Sequence, residues 1–399
     1  MERISTDILI SGGGIAGMTA ACAFGAAGLK VVCVDPAPPV TVSDADKTDL
    51  RSTAFLQPAR NTLKSAGVWA HLEPYAAPLD IMRLADAGGA TNEVRTVADF
   101  NASEISDEPF AWNLPNWLLR RELLTRIKEL DTVTFLTGVE TSRITPRTAR
   151  AHVQLSNQSQ VDCKLVLAAD GRNSPTRERL GIGAKTWRFG QKAVVFCVSH
   201  QHPHENVSTE IHRDGGPFTL VPLNDRGGKH YSAVVWMEKG PEAAKLMALD
   251  EAAFTDAANA RSCGILGDLK LESRRMIWPI ISRLADRLYG PRTALIAEAA
   301  HVIPPIGAQG LNMSLTDIQC LLDLSIENPD NIGTPQILAA YEKARFSDIK
   351  MRVNGVNMLN RAAMTGSDTL KALRLKGLQT LHGIAPVRKS LMRKGLGSV

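Results

Sequence analysis

The chain contains no run of about 18 consecutive apolar residues, so no membrane-spanning helix is expected. No basic segment leads into an apolar run near its start, so no signal peptide is expected and the cytoplasm is the expected location. Cysteine is sparse. The six present (Cys22, Cys33, Cys163, Cys197, Cys263 and Cys320) lie far apart, with no C-x-x-C pair. Four of them sit in apolar strand or helix patterns, which reads as reduced core cysteine rather than a disulfide framework or a metal site. Internal repeats, low-complexity tracts and obvious linkers are also missing. What is present is 399 residues with 44% hydrophobic and 22% charged content, ordinary for a globular protein. That length exceeds the size at which a single core stops growing, so about two domains are expected. The net charge of +5 is uneven: from Tyr341 onward twelve Lys/Arg face three Asp/Glu, leaving 34 against 38 for the rest. The basic character belongs to the C-terminal tail.

The first forty residues organise the chain. Thr6 to Ser11 is short and apolar enough for a buried strand, and Gly12-Gly13-Gly14-Ile15-Ala16-Gly17 follows at once. A small-residue helix, Met18 to Ala27, comes next, and a second strand, Lys30 to Val34, ends on Asp35. This is G-x-G-x-x-G with a strand before it, a helix after it and an acid at the next strand's tip. Gly12 permits the turn, Gly14 lets a pyrophosphate approach the backbone, and Gly17 lets helix pack on strand. The helix N-terminus offers free N–H groups to phosphates, and Asp35 can accept from ribose hydroxyls. The motif predicts dinucleotide binding without separating FAD from NAD(P).

Further on, helices are expected over about 58–67 and from Asn116, the latter with Leu119, Leu123, Leu124, Ile127 and Leu130 on one face. Phe135-Leu136, Val139, 151–155 and 161–163 read as strands of one meander. Leu165 to Ala169 is a fully apolar strand closing on Asp170-Gly171. Between about Gly181 and Ile281 alternating patterns predict a largely antiparallel sheet, interrupted by one helix over 241–260. Parallel-type signals return at Thr293 to Ala297, before a glycine/proline loop and a helix over about 312–328.

Three separated stretches point to one cofactor: the glycine loop with Asp35, then Asp170-Gly171-Arg172, then Ala297-Glu298-Ala299-Ala300-His301 with Pro304-Pro305-Ile306-Gly307-Ala308-Gln309-Gly310-Leu311-Asn312. In the third, two prolines stiffen a loop and two glycines let its backbone approach something flat. The helix that follows aims its free N–H groups at developing negative charge, such as the N1–C2=O edge of a reduced flavin.

These stretches resemble, in order, the GxGxxG, DG and GD motifs of the single-component FAD-dependent aromatic hydroxylases (group A flavoprotein monooxygenases). Within that family the chain is most similar to the ubiquinone-biosynthesis hydroxylases. Leu50-Arg51 with Leu63 and Gly67-Val68-Trp69, Arg120 with Leu123 and Ile127, Phe189-Gly190-Gln191, Gly216-Pro217-Phe218, Pro222-Leu223 and Leu391 to Gly397 carry that likeness from end to end. The resemblance implies an α/β fold: an FAD-binding Rossmann-like (glutathione-reductase-type) domain, an inserted mostly antiparallel β-sheet substrate domain and C-terminal helices. The expected division is 1–78, 105–182 and 280–335 for FAD, 79–104 and 183–279 for substrate, and 336–399 for the helical tail.

It also implies that Gly12, Gly14, Ile15, Ala16, Gly17 and Asp35 hold the ADP half. Arg51 and Arg120 would approach the flavin and pyrophosphate, Asp170 the pyrophosphate, and Glu298 the ribityl chain. Pro305, Gly307, Gly310, Leu311 and Asn312 would line the isoalloxazine. Pro305, Gly307 and, on its own chemistry, His301 are the candidate catalytic positions, and Phe218, Pro222 and Pro304 the candidate substrate pocket. Where the family has Gly-Asp this chain has Ala297-Glu298: the acceptor is one methylene longer, and alanine lacks glycine's freedom.

The implied chemistry is reduction of FAD by NAD(P)H, addition of O2 to give a C4a-hydroperoxide, and attack on it by a polyprenylated phenol, with water kept out. No separate nicotinamide-binding unit is visible. The alternatives are the same chemistry on a small soluble aromatic compound, or a non-catalytic flavoprotein-fold subunit of a biosynthetic complex.

His200, His202 and His204 read as a solvated turn rather than a metal site, since Pro203 breaks the strand and no carboxylate accompanies them. His301 reads equally as a histidine bonded to backbone, and Trp112 to Trp117 as core packing. In the tail, Leu370, Leu373, Leu378, Leu381, Ile384, Val387, Leu391 and Met392 interleave with Lys371, Arg374, Lys376, Arg388, Lys389, Arg393 and Lys394. Such a basic amphipathic pattern suits peripheral contact with the inner face of an anionic membrane, a helix pair covering the core, or a homo-oligomer interface. A ubiquinone-biosynthesis complex is a further expected partner, and nucleic acid is not.

Overall fold

The structure is a computed structural model and describes residues 3–89, 93–364 and 382–396. Its centre is a six-stranded sheet in the order Tyr289–Gly290, Thr293–Leu295, Leu165–Ala168, Ile8–Ser11, Val31–Asp35, Val133–Thr137, parallel except for its first pair. Ile8–Ser11 lies in the middle with every residue buried. Covered on both faces, it reads as a continuous apolar run rather than an alternation. The helix Ile15–Ala26 buries nine of its twelve residues and has no charged face, so it sits inside the domain.

Val133–Thr137 corrects one expectation. It pairs parallel with Val31–Asp35 at the sheet edge, Cys33 opposite Phe135, and takes no part in the meander. The helix Asn116–Glu129 precedes it, and a helical crossover returns a strand parallel to the sheet. The meander consists of Thr141–Pro146, Ala151–Leu155 and Gln160–Cys163, extended by Arg3–Ser5 running parallel to the last.

The large sheet has nine strands: His301–Val302, Met276–Ala285, Ala184–His200, Lys229–Lys239, Gly216–Arg226, Val207–Arg213, Ile81–Asp86 and Thr96–Asn101 in order, with Leu269–Leu271 beside Ala184–His200. Only Val207–Arg213 and Ile81–Asp86 pair parallel. The helix expected over 241–260 is two, Gly240–Ala248 and Glu251–Ser262, because Asp250 caps a new start by accepting from Ala253 N. These helices cover one face of the sheet through Val194, Phe196, Phe218, Leu220, Val234, Trp236 and Phe254. A three-stranded sheet of Ser52–Leu56, Ala111–Pro115 and Ala77–Leu79 bridges the two larger sheets.

The helix Pro335–Ala363 docks with Tyr341, Ile349 and Val353 in the main core, the Tyr341 hydroxyl donating to Leu295 O at 2.9 Å. The tail helix Ala385–Leu396 lies against the large sheet's edge. Arg388 pairs with Glu104 at 2.7 Å, and His382 Nε2 donates to Asp99 O at 2.9 Å. Leu370, Lys371, Leu373, Arg374, Lys376, Leu378, Leu381 and Gly397 lie outside the described residues. No described helix is long and apolar enough to cross a membrane.

Candidate active site

The central sheet, the bridging sheet and the free face of the large sheet enclose a cavity of about 880 Å³. Gly14, Ile15 and Ala16 form one end, at the N-terminus of Ile15–Ala26, which no side chain caps. The glycines divide the work. A Cβ on Gly12, whose φ is +108°, would stand 2.4 Å from Ala169 O, and one on Gly17 would stand 1.8 Å from Gly12 O. A Cβ on Gly14 would meet nothing within 4 Å. Gly12 and Gly17 therefore shape the turn, and Gly14 opens it to the cavity.

Two acids serve the scaffold. Asp35 accepts from Gly13 N at 2.7 Å and from Ala37 N at 2.9 Å, which fixes the glycine loop to the next strand. Asp170 accepts from Thr176 N at 2.9 Å and from the Ser174 hydroxyl, starting the short helix Pro175–Arg179. Neither side chain lines the cavity, whereas Ala169, Gly171 and Arg172 do.

Arg51 and Arg120 both line it, held by a residue that the sequence reading passed over. Asp49, whose side chain is 7% exposed, accepts from Arg51 Nε and Nη2 at 2.8 and 2.7 Å, from Asn116 Nδ2 at 2.9 Å and from Arg120 Nη2 at 3.5 Å. Burial pushes the Asp49 carboxyl up, but the hydrogen bonds and charge of Arg51, with Asn116 and Arg120, outweigh it and hold the pKa below the usual carboxylate value. The Arg51 guanidinium also lies 4.4 Å from the centre of the Trp278 ring, as a cation–π contact. The only local hint of Asp49 was an acid two positions before the arginine.

Glu298 lines the cavity and pairs with Arg172 through two contacts, of 3.2 and 3.4 Å. Ala297 before it adopts φ +54°, the left-handed region where glycine is at ease. The Pro304–Leu311 segment forms the opposite wall, with Pro304, Pro305, Gly307, Gly310 and Leu311 all facing in. Its helix, Gln309–Glu327, starts three residues earlier than Asn312 and again lacks a side-chain cap. Asn312 turns away from the cavity. It accepts from Leu56 N at 2.9 Å and donates to Ala54 O at 2.8 Å, pinning this helix to the bridging sheet.

His301 is bonded to a carboxylate instead of backbone: its Nε2 lies 2.7 Å from Asp317 Oδ2, with both side chains almost fully buried. Arg345 Nε donates to the other Asp317 oxygen at 2.9 Å. Burial lowers the Arg345 pKa, but Asp317 and Asp348 more than restore it.

The large sheet supplies the apolar end, through Met82, Leu84, Phe100, Thr219, Val221, Val235 and Trp278. Phe218 and Pro222 are corrected here. They alternate with Thr219 and Val221 and point to the sheet's other face, Phe218 into the core there, while Pro222 O accepts from Asn113 Nδ2 at 2.9 Å. Met392 and Gly395 of the tail helix also line the cavity. His200 bonds to His202 O and Ser232, and His204 to Leu223 O, so that cluster is spent on local structure.

The FAD binding domain family profile matches residues 5–354. The chain belongs to this family. The ubiquinone hydroxylase UbiL of Rhodospirillum rubrum is 28% identical over 396 residues, covering 98% of this chain and 90% of the relative. The human mitochondrial ubiquinone biosynthesis monooxygenase COQ6 is 26% identical, covering 97% and 91%. Among solved structures, p-nitrophenol 4-monooxygenase PnpA from Pseudomonas putida superposes with a TM-score of 0.80 at 17% identity over 99% of each chain, a likeness of fold.

The cavity fits FAD on its own geometry. Two helix N-termini without side-chain caps converge on it, one suited to a pyrophosphate and one to an electron-rich ring edge. Among the described residues, two polar atoms of its lining, Asn113 Oδ1 and Trp278 Nε1, are buried without a protein partner. When bound, FAD supplies the redox and oxygen chemistry of a monooxygenase. With FAD in this cavity, Arg51 and Arg120 would stand to neutralise phosphate and Pro305–Leu311 to hold the ring, while the apolar end would exclude water.

Proposed function

We propose that this enzyme hydroxylates the aromatic ring of a polyprenylated phenol on the way to ubiquinone, using O2 and electrons from NAD(P)H. The observation that carries the reading is one cavity whose polar end suits a dinucleotide and whose other end is a sheet of Met82, Leu84, Phe100, Val221 and Val235. Full-length similarity to UbiL and COQ6 supports the ubiquinone pathway. In this reading residues 1–78, 105–182 and 280–335 hold FAD, 79–104 and 183–279 hold the ring, and Pro305, Gly307 and His301 stand at the reacting face. Exposed Ile384 and Val387 on the tail segment, beside Lys389, offer a surface to the prenyl chain or to a bilayer face. Mass spectrometry of quinone lipids from cells lacking the gene tests the reading. A polyprenyl phenol short of one or more oxygens is expected, and its ring pattern names the position. An unchanged ubiquinone pool, with no redundant hydroxylase present, overturns it in favour of a small aromatic substrate.

A further inference from the structure

Apart from His301, which is held by Asp317 at the sheet's first strand, the sheet wall of the cavity carries one ionisable side chain among its described residues, Glu210. Strand Val207–Arg213 alternates so that Ser208 and Glu210 face the cavity while Ile211 joins the core on the opposite face. Glu210 is flanked by Leu84 on one neighbouring strand and Thr219 on the other, both of which line the cavity. Its side chain is 7% exposed. One carboxylate oxygen, Oε1, lies 2.8 Å from His212 Nε2, two residues along the same strand face. The second oxygen accepts no hydrogen bond from the described residues. Among the described residues His212 Nδ1 is buried without a partner, and the residue opposite His212 is Asp86, itself bonded to Arg95. A buried carboxylate in an apolar wall is costly unless something present in the working state completes its hydrogen bonding. Ionised, it can only accept.

We propose that Glu210 accepts the hydroxyl proton of the phenolic ring, with His212 as its positioning residue, and that it selects neutral phenols over aromatic carboxylates. The inference rests on the ring-hydroxylation reading and names the substrate class of that same site. The hydroxyl donates to the free carboxylate oxygen. As the ring reacts its O–H bond breaks, the proton passes to Glu210, and the electron pair stays on the phenolic oxygen to be released into the ring. When the hydroxylated ring carbon sheds its own proton, the phenolic oxygen regains one and Glu210 returns to carboxylate. His212 holds the other oxygen and so fixes the carboxylate plane. A ring carrying a carboxylate would bring like charges together in a low-dielectric wall.

The test uses the full-length, flavin-loaded protein with two probes: a phenol bearing one prenyl unit, and the same ring with a carboxylate added. Wild type is expected to shift the bound phenol's ultraviolet absorption modestly to the red, as a hydroxyl donating to a carboxylate does, and to bind the carboxylate poorly. Glu210→Gln keeps the shape and loses the charge. It should abolish the absorption shift, lower hydroxylation about 10²-fold, leave the flavin spectrum unchanged, and tighten binding of the carboxylated probe roughly tenfold or more. Glu210→Asp retains the carboxylate at shorter reach and should keep part of the shift. His212→Asn should lower kcat while KM stays within a few-fold, a split that a merely structural role would not give. Glu210→Gln protein that shifts and hydroxylates the phenol as wild type does overturns the proposal alone. Wild-type protein that holds flavin but binds neither probe overturns it together with the hydroxylase reading.

Discussion

Asp317 is the best place to test whether the cavity wall depends on a buried ion network. Its side chain is fully buried, receives His301 Nε2 at 2.7 Å and Arg345 Nε at 2.9 Å, and lies 3.4 Å from Ala297 N. Asp317→Asn preserves volume but leaves the Arg345 guanidinium, whose side chain is 6% exposed, with only Asp348 for countercharge among the described residues. Removing one partner of a buried pair typically costs about 3–5 kcal/mol, because the remaining charge keeps its desolvation penalty. That is a large share of an ordinary stability of about 5–15 kcal/mol. Urea unfolding of the flavin-free protein should show this loss. Flavin retention should fall with it, since Ala297 and His301 line the cavity. The double variant Asp317→Leu with Arg345→Met removes both charges, and should cost clearly less than the sum of the two single changes. A loss below about 1 kcal/mol for Asp317→Asn, or strict additivity in the cycle, would refute the reasoning.

Other perturbations follow from the same geometry. Ala297→Gly relieves a left-handed alanine and should stabilise the protein by about 0.5 kcal/mol, after glycine's greater freedom in the unfolded chain is offset; destabilisation in a thermal melt would contradict it. The Asp49 carboxyl is held below its usual pKa, so its contribution is present above the unfolded value near 4 and is lost as pH falls through the lower folded one. Asp49→Asn should therefore flatten the acid limb of a stability–pH curve, and an unchanged limb would remove Asp49 from the account. Gly14→Leu adds a side chain where a Cβ meets nothing within 4 Å. The flavin-free protein should unfold as wild type does while flavin retention is lost, and retained flavin would displace the pyrophosphate from this loop.

How much of this was legible in the sequence depended on how local each feature is. The glycine loop could be read because strand, turn and helix are contiguous: Gly17 answers to Gly12 five residues back and Gly12 to Ala169 at the end of the adjacent strand, while Gly14 stays open. The Pro304–Leu311 wall was legible for the same reason. Asp49 was not: its partners Arg51, Asn116 and Arg120 meet only after the bridging sheet brings residues 49 and 116 together. Asp35 and Asp170 were legible as acids at strand ends, but their oxygens bind backbone amides of the scaffold. The misplacement of Phe218 and Pro222 has a more general cause. Alternation distinguishes a core face from a solvent face, yet here the second face lines an enclosed apolar cavity. Phe218 and Leu220 on one side, and Thr219 and Val221 on the other, are therefore all sheltered from water, and hydrophobicity alone cannot tell core from pocket. What marks the cavity face is its polar exceptions. Ser208, Glu210 and Thr219 would be poor choices for a core, and their register across neighbouring strands is the signal that composition hides.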